Sequence, residues 1–153
     1  ILLVHILNLN QNIKMDSNVL NLTEFRWNPF ESTIYGMYHG TVYIDSDYYL
    51  IGTDDQGNKI CYQETGRNGQ ETMFRQTIGL YPGYEEISPE ANTITLQLYE
   101  VKNDTAHQVS EEKMDKDPSD DIYEESTTYV YDGGESPIDS AIPIGYNLTI
   151  QIR

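Results

Sequence analysis

Few residue types in this chain could perform catalysis, and their spacing assembles no catalytic signature. The histidines His5, His39 and His107 stand in unrelated contexts, none beside a nucleophile pattern that a base would activate. Cys61, the single cysteine, sits between Ile60 and Tyr62 in a β-type run, where a thiol serves as a small buried hydrophobe rather than a reactive thiolate. Glycoside cleavage needs two carboxylates across a cleft, but with 25 acidic residues any pairing is uninformative. Gly66 and Gly69 lack the lysine and following helix of a phosphate loop. No catalytic centre is expected. An enzyme whose residues meet only in the folded chain stays a third alternative.

Binding chemistry has more candidates. Trp27, Tyr48, Tyr49, Tyr81 and Tyr84 would form a platform for a sugar ring or a protein if they shared an exposed face, or core and cross-strand packing if they did not. Oxygen ligands for calcium occur at Asp45-Ser46-Asp47 and Asp54-Asp55-Gln56-Gly57-Asn58, but neither continues to the bidentate Glu of an EF-hand, and the second reads as a turn. The run with Asp115, Asp117, Asp120, Asp121, Glu124 and Glu125 could recruit calcium weakly or simply stay solvated. No other cofactor is expected. Sequons at Asn21, Asn103 and Asn147 decide nothing about origin.

Charge restricts the partners. Nine basic residues against 25 acidic ones give a formal net charge of −16, which repels nucleic-acid backbones and anionic membrane surfaces. A protein or a cell-envelope ligand fits better, cationic proteins, polycationic wall components and carbohydrates included. The same charge also serves plain solubility.

These side chains must be positioned by strands. The chain has 153 residues, enough for one domain with a real core, and its apolar content is rich in Ile, Leu, Val and 13 Tyr, which suit pleated, half-buried surfaces. Short β-type runs at 1–9, 12–15, 19–27, 33–44, 48–51, 59–62, 72–80, 93–101, 129–131 and 147–152 alternate with turn signals, and no amphipathic helix intervenes. Asp16-Ser17-Asn18 and Asp54-Asp55-Gln56-Gly57-Asn58 predict hairpins, Thr65-Gly66-Arg67-Asn68-Gly69 predicts a loop, and Gly36 and Gly40 predict bulges or close approaches. Residues 102–125 lose the apolar pattern and read as an acidic loop or insertion. The expectation is an all-β, immunoglobulin-like antiparallel sandwich of about seven to nine strands in a single domain spanning 1–153.

Several pieces of the chain carry a family likeness. Leu20-Asn21-Leu22-Thr23 leads to Asn28-Pro29-Phe30-Glu31-Ser32-Thr33, then Tyr49-Leu50-Ile51 to the Asp54 turn, then Ile87-Ser88-Pro89-Glu90-Ala91-Asn92 to Thr93-Ile94-Thr95-Leu96, and the chain closes on Ile144-Gly145-Tyr146-Asn147-Leu148-Thr149-Ile150. This order resembles an extracellular C-terminal domain of unknown function in membrane-anchored anti-sigma-factor-like proteins of Gram-positive bacteria. The acidic stretch at 102–125 departs from that pattern. The resemblance implies an immunoglobulin-like ectodomain that senses envelope conditions or packs on a neighbour, and it supplies no catalytic residues. The chain starts at Ile1 with no cleavable leader, and its first apolar run is too short to cross a bilayer, so a membrane anchor is expected upstream rather than within it. The expected function is extracytoplasmic, non-catalytic sensing, regulation or protein interaction; the alternative is a carbohydrate-binding or adhesive surface module.

Overall fold

The computed structural model describes residues 5–28, 30–40, 46–102, 106–110, 127–131 and 137–153. Ten strands appear among them: β1 (His5–Lys14), β2 (Asn18–Trp27), β3 (Ser32–Gly40), β4 (Ser46–Asp54), β5 (Lys59–Asn68), β6 (Glu71–Gln76), β7 (Thr93–Lys102), β8 (Ala106–Ser110), β9 (Thr127–Tyr131) and β10 (Ile142–Gln151), with one turn of 3-10 helix at Pro137–Ser140. Among the described residues no helix is long and apolar enough to cross a membrane.

Eight of the strands form one antiparallel sheet in the order β1-β2-β3-β6-β5-β4-β7-β10, while β8 and β9 pair as a separate ribbon. Two meanders, β1-β2-β3 and β4-β5-β6, are joined so that β3 pairs with β6, and β7 then adds to β4. The edge strands β1 and β10 come together at Gly145, where a β-carbon would lie 3.1 Å from Ile13 Cγ2, although no ladder joins them among the described residues. The result is a nearly closed sheet. The all-β antiparallel architecture is thus present, whereas a sandwich of two facing sheets is not shown, because an unbroken series of ladders runs from β1 to β10.

Alternation of side chains fills the interior. Leu20, Leu22 and Phe25 from β2, Ile34 from β3, Leu50 from β4, Ile60 and Tyr62 from β5, Phe74 from β6, and Ile94, Leu96 and Leu98 from β7 are fully buried in one cluster. Each such aliphatic or aromatic side chain contributes roughly 1.5–3 kcal/mol. The clean alternation over 93–101 follows from this: Ile94, Leu96 and Leu98 face inward, and β10 lies alongside as the partner strand.

The outer face is covered over β4, β5 and β7. There Tyr49, Cys61 and Val101 are buried beneath Tyr81, Tyr84, Ile138 and Ala141, supplied by the β6–β7 connection and the 3-10 turn. Strand β5 also runs farther than expected. Residues 65–68, read from the sequence as loop, continue the strand past a bulge between Glu64 and Gly66, and the chain reverses at Gly69, whose φ of 63° suits the left-handed region.

Candidate functional site

The nearly closed sheet forms a barrel without a described ladder between β1 and β10, and its two ends differ. At the end where β3 and β5 finish and β4 and β6 begin, polar groups satisfy one another. Glu64 Oε2 accepts hydrogen bonds from Tyr38 Oη at 2.5 Å and from the Thr72 hydroxyl, and Arg67 pairs with the same carboxylate. The Arg67 guanidinium also lies over the rings of Tyr38 and Tyr48, 5.1 and 5.8 Å from their centroids, and Tyr48 Oη donates to Glu100 Oε2 at 3.0 Å. Burial, reinforced by the neighbouring carboxylates, pushes the Tyr38 and Tyr48 phenols well above the ordinary range. This network ties β3, β4, β5, β6 and β7 together at that end.

The opposite end carries a pocket of about 280 Å³ lined by residues from several separated parts of the chain. Its frame is set by register: His5 opens β1 directly across from Trp27, which ends β2, and the two rings stack with centroids 5.2 Å apart at 28°. Arg153, just beyond β10, places its guanidinium 5.8 Å from the Trp27 ring centroid. Asn28 shapes the next wall, its Oδ1 accepting from the backbone N–H groups of Phe30 and Glu31 at 2.8 and 3.0 Å, an Asx-type turn that leaves Phe30 77% exposed. Across the opening lie Ile78 and the buried Ile87, and Gln76 Nε2 ties β6 to the following loop by donating to the Glu85 carbonyl at 2.9 Å. Thus the rings of Trp27 and Phe30, one guanidinium, one imidazole, two carboxylates and the apolar side chains of Ile78 and Ile87 surround a space just below the usual small-ligand range of roughly 300–1,000 Å³.

No protein-family model matches the chain, and neither does a curated protein or a solved structure.

The five aromatics anticipated as a platform are distributed over three places. Trp27 lines the pocket. Tyr48 points into the barrel, 4% exposed, and Tyr49, its chain neighbour, points to the outer face, 3% exposed. Tyr49 and Tyr81 meet edge-on with centroids 6.2 Å apart, and Tyr84 packs in the same outer cluster. Tyr49, Tyr81 and Tyr84 therefore come together as packing, while Trp27 and Tyr48 stand apart from them.

The other anticipated positions divide likewise. Asp115, Asp117, Asp120 and Asp121 lie outside the described residues. Asp54 is buried, with Oδ1 accepting from the N–H groups of Gln56 and Asn58, both at 2.9 Å, and Oδ2 accepting from the Ser88 N–H at 2.9 Å, so its oxygens clamp backbone. Among the described residues no three His, Cys, Asp or Glu side chains converge to hold a metal ion. Cys61 is fully buried, and its thiol is pushed up to about 11 by desolvation, which keeps it protonated and unreactive at neutral pH.

Sequence reasoning did not single out His5 as a binding residue, nor Phe30, Ile87 or Arg153. The Asn28-Pro29-Phe30 turn after Trp27 was the available signal, since it places an apolar ring on a loop next to an aromatic strand end.

Proposed function

We propose that this chain is a non-catalytic sensing or protein-interaction module, working outside the cytoplasmic membrane, whose ligand enters at the Trp27 pocket. The observation that carries this reading is the convergence there of β1, β2, β6, the β6–β7 connection and Arg153 around an open space lined by Trp27. Pockets of this kind, mostly apolar with a few oriented polar groups, are the usual form of a ligand site. The opposite end offers less, because its polar groups are engaged with each other. The sugar-platform alternative has less support, since of the five aromatics only Trp27 lines the pocket. The extracytoplasmic setting, as the ectodomain of an anti-sigma-factor-like protein, rests on the sequence resemblance and the acidic composition.

Trp27 is the single tryptophan, so its fluorescence reports on the pocket directly. A fragment library screened by emission change should yield binders that Trp27→Phe and Ile87→Asp both weaken, with affinities for the variants measured by calorimetry, since Trp27→Phe removes the emission itself. Binders that raise the melting temperature while leaving Trp27 emission untouched would move the site elsewhere. The setting is tested by the gene: a membrane-spanning helix encoded ahead of residue 1 supports it, and a contiguous cytosolic enzyme domain there removes it.

A further inference from the structure

Given a ligand at the Trp27 pocket, the remaining question is what class of molecule it admits. The chain is strongly acidic, which taken alone favours a cation, and the face of Trp27 is the natural place for one. That position is already taken. The guanidinium of Arg153 lies over the indole, so an incoming cation would have to displace the chain's own.

A guanidinium laid over an aromatic ring keeps its in-plane N–H donors free, and those donors match a carboxylate in bidentate geometry. Arg153 makes no ion pair and no side-chain hydrogen bond through its guanidinium among the described residues; its backbone carbonyl accepts from Gln151 Nε2. Beside it the wall is apolar, with Ile87 buried and Phe30 and Ile78 exposed at 77% and 52%. Two carboxylates, Glu31 and Glu86, also line the pocket, both exposed to water. Strands β1 and β10, which deliver His5 and Arg153, contain no Asp or Glu at all, although the chain has 25. At physiological salt, fields of exposed charges are largely screened beyond about 8 Å, so a contacting guanidinium outweighs the negative surface outside the pocket, while Glu31 and Glu86 within it oblige an anion to sit against Arg153 and away from them.

We infer that the pocket binds a carboxylate carried on an apolar body of side-chain size, with Arg153 reading the carboxylate and Trp27, Phe30, Ile78 and Ile87 holding the body. Two sources share this chemistry: a free small acid and the C-terminal residue of a peptide.

The test uses three probes of nearly equal shape, 3-phenylpropionate, its amide and 3-phenylpropylamine, titrated against Trp27 emission. The acid should bind at least about tenfold more tightly than the amide, the difference expected of a charge-assisted pair, and Arg153→Gln should erase that preference while leaving the fold intact, because Arg153 is exposed. A tripeptide ending in phenylalanine, as free acid and as amide, separates the sources: a gain over 3-phenylpropionate assigns the site to peptide termini, and equal affinity assigns it to free acids. Equal binding of acid and amide, or tighter binding of the amine, overturns the carboxylate assignment while the pocket stands. If no probe perturbs Trp27, the carboxylate assignment fails, and a fragment screen that also leaves Trp27 silent removes the pocket with it.

Discussion

Asp54, the last residue of β4 before the turn to β5, accepts a hydrogen bond from the backbone N–H of Ser88, 34 residues farther along the chain. One buried carboxylate thereby closes its own hairpin and pins the β6–β7 connection, the segment that supplies Ile78, Glu86, Ile87 and Pro89 to the pocket. Replacing it strands three backbone donors. Asp54→Ala should cost roughly 2–4 kcal/mol, and hydrogen exchange at the Ser88 amide should accelerate along with those of Gln56 and Asn58. If Ser88 stayed as protected as in the parent protein, the connection would be held by something other than Asp54.

Alkaline pH should destabilise the fold through Cys61. Burial raises its thiol from the ordinary 9.0 to about 11, so above pH 9 the unfolded chain releases a proton that the folded chain retains. Fewer protons bound in the unfolded state means that stability falls as pH rises, here across pH 9 to 11, by up to roughly 2–3 kcal/mol. Tyr49, Tyr38, Tyr48 and the fully buried Tyr62 are shifted upward mainly by desolvation and act in the same direction. Cys61→Ser or Cys61→Ala, compared with the parent in denaturant melts at pH 8 and pH 10.5, should shrink the loss between the two. At pH 8 a maleimide should label the folded protein far more slowly than the unfolded one.

Two glycines should respond very differently to a single methyl group. At Gly52 in β4 an added β-carbon would lie 1.7 Å from the carbonyl oxygen of Thr95 in β7, so the two strands could not keep their spacing. At Gly57, in the turn, nothing lies within 4 Å, and the penalty is only that of φ 90° for an L side chain. Gly57→Ala should cost about 1–2 kcal/mol. Gly52→Ala should cost well above about 3 kcal/mol or prevent folding, as read from melting temperature and soluble yield. Comparable losses at both positions would mean that β4 and β7 are not packed at this distance.

Local pattern carried the strands but not their partners. The alternation at 93–101 and the Asp54 turn are visible in the sequence because a buried face and a tight turn leave their mark within a few residues. The pairing of β3 with β6 leaves none, since which strand completes a ladder depends on closure over long loops. Tyr48 and Tyr49 show what was legible in principle: adjacent strand residues point to opposite faces and cannot share a platform. His5 and Trp27 show what was not. Counting back from the Lys14–Val19 pair sets His5 against Asn28, and only the bulge between Asn8 and Gln11 shifts it onto Trp27.

The hydroxyl pair inside the barrel allows a cleaner measurement. Tyr62 Oη and Ser32 Oγ lie 2.5 Å apart, both residues are buried, and among the described residues no buried side-chain polar atom lacks a partner. Tyr62→Phe alone leaves the serine hydroxyl desolvated and unpaired, and Ser32→Ala alone does the same to the phenol, so each should cost about 1–3 kcal/mol. Removing both groups removes the unmet demand as well. The double variant should therefore be less destabilised than the sum of the singles by roughly 1 kcal/mol or more, measured as a coupling energy in denaturant melts. Strict additivity would mean that each hydroxyl finds water or another acceptor once its partner is gone, and that the barrel interior at β3 and β5 is wetter than its packing indicates.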